Sequence, residues 1–254
     1  MNRSEAPEPD ALDDLQPAVA LQTLLLMLLA IAVGTLMAAF VLPTWLPGLS
    51  DSLLGPAPKV YWYLSRASGE VSIVLLWLSM AIGVMITNKM ARVWPGGPTA
   101  FDLHQHASLL GLGFALFHGL ILLGDQYAKF SLTQLLVPFG TTTYRPLWVG
   151  IGQIGFYLMA LVTLSFYVRK TLGSKVWRTI HYLSYLVFIM GVVHGLQAGT
   201  DGPNVWIRDL NWFLAGSLLF LTVYRILIAR FPATRKPHRA PTNAGVAQEN
   251  ARRS

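Results

Sequence analysis

The sequence predicts an all-α integral membrane protein, a bundle of six transmembrane helices. Three observations predict it. Of the 254 residues, 54% are apolar and 12% charged, about half the ~25% charged content of a soluble globular domain. The apolar residues gather into six runs of the ~20 residues that cross a hydrocarbon core of about 30 Å. The chain also contains no cysteine, which excludes disulfides, zinc knuckles, iron–sulfur clusters and thiol nucleophiles.

Residues 1–16 form a polar N-terminal segment with Glu5, Glu8, Asp10, Asp13 and Asp14. The first span runs from about Pro17 to Leu42. Its apolar run is too long for a signal peptide and follows acidic residues instead of a basic n-region. The second runs from about Val60 to Thr87, the third from Leu103 to Leu123 and the fourth from Leu147 to Val168. The fifth runs from about Val176 to Ala198 and the sixth from Trp206 to Ala229. One six-span domain therefore covers 17–229. Residues 230–254, rich in Pro, Ala and Arg, read as a basic disordered tail. That tail is too short for a flavin or nucleotide domain, and no glycine-rich dinucleotide fingerprint follows a strand.

The net charge of +7 is explained by topology and needs no nucleic-acid partner. Lys89 and Arg92 follow span two. Arg169, Lys170, Lys175 and Arg178 join spans four and five, and Arg230, Arg235, Lys236, Arg239, Arg252 and Arg253 follow span six. The opposite face holds only Lys59, Arg66, Lys129, Arg145 and Arg208. Basic loops stay in the cytoplasm, so both termini are predicted to be cytoplasmic.

Five of the six histidines fall in spans three and five: His104, His106, His118, His181 and His194. Ionisable or ligating groups within a bilayer are costly and usually functional. Both spans enter from the cytoplasm. His104 and His181 sit near their inner ends, and His118 and His194 about 20 Å deeper at 1.5 Å per residue. Two parallel helices thus offer one imidazole each at two depths, an arrangement suited to holding a cofactor in a bundle core. A haem with two axial histidines fits each level, and no cysteine competes as ligand. His104 and His118 share a face, whereas His181 and His194 are offset by about 140° on an ideal helix. Span five therefore needs tilt, local unwinding near Gly191 and Gly195, or a different ring approach. His106, rotated about 200° from His104, is expected to face the cytoplasmic interface or a haem edge, and His238 lies in the tail.

Gly111, Gly113 and Gly119 beside the span-three histidines read either as room for a flat macrocycle or as helix packing. For Gly150, Gly152 and Gly155 in span four, packing is the preferred reading. Arg178, one turn before His181, is either a partner for a haem propionate or a positive-inside anchor. Arg66 is either a partner for the outer haem or its substrate, or half of a helix pair with Glu70. Trp62, Tyr63, Trp148 and Trp206 at span ends read as interfacial anchors.

The run Trp177-Arg178-Thr179-Ile180-His181 with His194-Gly195, and His104 followed by His118-Gly119, resembles the ferric reductase-like transmembrane domain. That family includes the membrane halves of NADPH oxidases and ferric reductases and a bacterial haem subunit serving methionine sulfoxide reductase. The resemblance covers about residues 60–229, and Arg66 in Ser-Arg-Ala-Ser-Gly is similar to the family's second helix. It implies two stacked b-type haems, the inner on His104 and His181 and the outer on His118 and His194. It implies electron transfer from a cytosolic flavin reductase or a quinol to a periplasmic or extracellular acceptor: a metal ion, oxygen or a redox protein. A partner would supply any FMN, FAD or quinone, since the chain is expected to be an oxidoreductase component without its own FAD or NAD(P)H domain. The expected location is the bacterial cytoplasmic (inner) membrane, with lipid as the surrounding partner. Competing readings are a cytochrome b561-like quinol oxidoreductase, with ligands on other helices, and a His-relay proton or ion transporter. The transporter reading favours acidic partners within the spans, where only Glu70 is clearly placed.

Overall fold

The computed structural model describes residues 16–88, 90, 95–142, 144–200 and 204–230. The acidic start of the chain, Lys89, Arg92 and the 231–254 tail with His238 lie outside the described residues. All regular secondary structure within them is helical. In chain order the helices are α1 (Leu21–Phe40), α2 (Leu42–Trp45), α3 (Pro47–Leu53), α4 (Val60–Thr87) and α5 (Gly97–Ile121). There follow α6 (Leu132–Leu136), α7 (Pro146–Ser165), α8 (Arg169–Leu172), α9 (Ser174–Ala198) and α10 (Val205–Arg230). Six of them, α1, α4, α5, α7, α9 and α10, are long and apolar enough to cross a membrane. They correspond in order to the six expected spans and make this an all-α, multi-pass membrane bundle.

Local sequence explains where the helices differ from expectation. α5 starts six residues before Leu103, because Gly96 (φ 105°) takes a backbone conformation that suits glycine and Pro98 enters the first turn. Proline there loses no helical hydrogen bond and its φ is already helical. α7 likewise opens on Pro146. It ends at Ser165, before Val168, and α8 runs into α9 through Gly173 (φ 76°).

The closest pairing is α4 against α5. Ser65, Ser68, Ser72 and Ser79 line the buried face of α4, and Ser72 Oγ donates to the Gly111 carbonyl at 2.8 Å. Small side chains let two backbones approach, and each hydroxyl needs a partner in an apolar medium. Gly111 itself packs on Met159, Leu75 and Ser72, and Gly113 on Ile31 of α1, so the packing reading holds for both. Trp77 Nε1 ties α4 to α10 through Ser217 Oγ at 2.9 Å. At mid-depth the bundle closes on Leu76, Met80, Leu112, Met159, Val187, Phe188 and Leu214. The outside is apolar too: Leu26 is 65% exposed and Phe220 68%, as expected of a surface solvated by lipid. The central apolar layer separates two polar levels, one at each end of α5 and α9.

Candidate functional site: two facing histidine pairs

At one level the ring centroids of His104 (α5) and His181 (α9) are 6.0 Å apart, with planes at 60°. At the other, His118 (α5) and His194 (α9) are 5.9 Å apart at 85°. Imidazole binds a first-row metal at about 2 Å, and the ring centre lies about 1 Å behind the nitrogen. A linear N–metal–N axis thus places two ring centres about 6 Å apart. Both pairs have that separation.

The rings are held by their neighbours. α4 runs antiparallel to α5, so Ser79 meets His104 and Ser65 meets His118. His104 Nδ1 lies 2.8 Å from the Ser79 carbonyl and His118 Nδ1 2.7 Å from the Ser65 carbonyl. A ring nitrogen there must donate, which directs the lone pair of Nε2 away from α4. The hydroxyl of Ser65 donates to the His118 carbonyl at 2.9 Å. That of Ser79 lies 2.6 Å from Ser108 Oγ, linking both helices at each level. On α9, His194 Nδ1 donates to the Trp148 carbonyl of α7 at 2.8 Å. His181 is stacked on Trp177, centroids 5.1 Å apart.

Three glycines seat the rings. A Cβ on Gly69 would lie 3.0 Å from His118 Nδ1, and one on Gly83 3.3 Å from His104 Cε1. A Cβ on Gly152 would overlap the His194 ring outright, so Gly152 is a ring seat, contrary to the packing role expected for it. Gly155, against Met190 Cβ at 3.5 Å, does pack helices. Ser65, Ser79, Gly69, Gly83 and Gly152 were not expected as site residues. The signal for four of them is in span two: Ser65-x-x-x-Gly69 and Ser79-x-x-x-Gly83 repeat at 14 residues, the interval from His104 to His118.

The angular offset on span five is met without unwinding, since α9 is unbroken from Ser174 to Ala198. The rings instead reach their partners from different sides of the helix, His194 turned by the Trp148 carbonyl and His181 by Trp177. Gly191 serves another purpose, since Ile73 of α4 occupies the space its Cβ would take. His106 is exposed on α5, with Nδ1 on the Asp102 carbonyl of its own helix at 2.8 Å.

A cavity of about 250 Å³ surrounds the His118–His194 pair, against the ~10–15 Å³ that one water occupies. Gly69, Gly152, Ile73, Leu76, Val187 and Phe156 line it, with Arg66, Glu70, Asn211 and Tyr144 supplying polar groups. Arg66 Nη1 donates to Thr200 Oγ1 just past the end of α9, and Glu70 accepts from Asn211 Nδ2 of α10 at 3.3 Å. Arg178 is exposed on α9, one turn before His181. Among the described residues no three His, Asp or Glu side chains converge on one point.

No family model matches the chain, and no solved structure matches it. A stretch of 144 residues, 55% of the chain, is 27% identical to the protein-methionine-sulfoxide reductase heme-binding subunit MsrQ of Deinococcus radiodurans. The match spans 65% of that relative's length.

Proposed function

We propose that this chain is a membrane electron-transfer component of the ferric reductase-like kind, with one b-type haem at each histidine level. The observation that carries the reading is the pair of facing imidazoles, each pair about 6 Å apart and one at each end of the same two helices. A macrocycle fills the iron's other positions, so two protein ligands per level suffice. The partial likeness to a haem-binding subunit supports the same cofactor.

When bound, haem iron supplies reversible one-electron chemistry. The chain's own residues do the rest. His104 and His181 would hold one haem and His118 and His194 the other, through their ring nitrogens. The carbonyls of Ser79, Ser65 and Trp148 hold three of those rings in the donating Nδ1–H form, which raises ligand basicity and fixes orientation. Gly69, Gly83 and Gly152 leave space beside the rings. The apolar layer around Leu76, Met159, Val187 and Phe188 keeps water from the path between levels, about 21 Å along α5. Arg66 faces the outer cavity, where it suits a propionate or an anionic acceptor, and Arg178 stands toward the inner end for the same purpose.

The direction follows from charge: Arg169 and Lys170 between α7 and α9, with Lys175 and Arg178 at the start of α9, belong in the cytoplasm, making His104–His181 the inner level. A cytosolic flavin reductase or quinol would donate there, and an acceptor across the membrane would receive electrons at His118–His194. The relative's name makes a methionine sulfoxide reductase catalytic subunit one such acceptor.

Reduced-minus-oxidised spectra of single variants test the assignment. His118→Ala and His194→Ala should each lose about half of the b-type signal and leave the same residual spectrum. His104→Ala and His181→Ala should leave the complementary one, and His106→Ala the full signal. A His106→Ala protein that loses the inner signal while His104→Ala retains it would overturn the register on α5.

A further inference from the structure

Between α5 and α7, residues 125–142 and 144–145 do more than join two helices. Phe130, Leu135, Leu136 and Tyr144 from this segment line the cavity around His118 and His194. A Cβ on Gly119 would lie 3.6 Å from Leu135 Cδ1, and the Phe139 ring fills the space a Cβ on Gly150 would take. Among the described residues, all three non-glycine positions with positive φ fall here: Lys129 (52°), Phe139 (63°) and Arg145 (40°). Each such position costs of order 1 kcal/mol or more and persists only where surrounding contacts over-determine it.

Those contacts converge on α7. Gln153 Nε2 donates to the carbonyls of Gln134 and Leu135, both at 2.7 Å, and its Oε1 accepts from Phe139 N–H at 3.2 Å. One turn on, Tyr157 O–H donates to the Leu136 carbonyl. The end of α6 leaves carbonyls without helical partners, and in an apolar setting each needs a donor. Gln153 and Tyr157 supply them from a helix that also carries Gly152, the seat of His194.

We propose that residues 125–142, with Tyr144, are a fixed cover over the outer level and that Gln153 is the positioning residue that locks it there. The cover shields the outer face of the His118–His194 cavity from water-soluble reagents, with Tyr127, Ala128, Phe130 and Tyr144 packed over the buried Trp62. The inference deepens the function proposed above and rests on it only for what the cavity holds.

The absence of native cysteine permits a direct test on the full chain in detergent. A Leu135→Cys variant, reacted with a water-soluble maleimide, reports opening of the cover. Adding Gln153→Ala should speed labelling about tenfold, the factor expected from one or two lost hydrogen bonds. Gln153→Glu should do likewise, because an oxygen replaces the donor that two carbonyls require. Gln105→Ala, which removes bonds to Ala18 and Gln16 elsewhere on α5, should change nothing. In protein carrying haem, ferricyanide should oxidise the reduced outer level faster by a similar factor at unchanged haem content. If Gln153→Ala does not accumulate, Gly150→Ala, one turn earlier on α7, displaces the Phe139 ring and reads the same opening. Labelling unchanged in both Gln153→Glu and Gly150→Ala overturns the cover. Protein that lacks haem but shows the labelling change fails the proposed function while sustaining the cover.

Discussion

The four histidines depend on residues that carry no chemistry of their own. Replacing Gly152 with Ala places a methyl group inside the His194 ring. The ring must then leave the line to His118, and Gly152→Ala should lose the outer-level signal while the inner one remains. Gly155→Ala, one turn away with Met190 Cβ at 3.5 Å, should keep both; absorption spectra of the two variants check this. Asp125 illustrates a different dependence. It is buried just past the end of α5 and accepts from the backbone N–H groups of Ala128 and Tyr127. Burial pushes its carboxyl above the usual carboxylate range, against the opposing pull of those two donors. The raised value means its contribution is full below the unfolded pKa, ~3.9, and falls as pH rises through the folded pKa. Asp125→Asn should therefore match or exceed the native thermal midpoint at pH 7. Asp125→Ala strands the two donors and should cost about 1–3 kcal/mol per stranded group. A pH series of thermal melts on the two variants separates these outcomes.

At the scale of elements, α4 is the scaffold that the histidine count alone leaves unnoticed. Its buried serines and glycines repeat at the interval of the α5 histidines, and antiparallel packing brings each Ser and Gly to the matching ring. A bulky residue at either end should act on one level only. Ser79→Leu should unseat His104 and spare the outer signal, and Ser65→Leu should do the converse, read by the same difference spectra. The long apolar runs made α4 and the other five spans legible in the sequence, because lipid demands length and hydrophobicity whatever the partners. The short helices α2, α3, α6 and α8 carry no such signature, and their positions follow from tertiary contacts such as those of Gln153. The pairing of His194 with His118 was legible from depth. Its angular offset was not, because the turn of the ring is set by the Trp148 carbonyl on α7, remote in sequence. Gly152 was misread for the same reason: a glycine in a span reads as packing until its neighbour is known.

At the scale of the whole molecule, the proposed conduit needs a multi-pass bundle, a basic side and two polar levels on one pair of helices. The orientation is open to a separate check. A reporter enzyme fused after Ser254 should be active only in its cytoplasm-dependent form; periplasmic activity would exchange the inner and outer levels without changing the residues at each. The cofactor is the central claim. The most direct measurement is the pyridine haemochrome content of the purified chain against its protein concentration. The account predicts a ratio of about two b-type haems per chain, one for each facing pair of histidines. A ratio near one would mean that one of the two pairs holds no iron, and a ratio near zero would contradict the account.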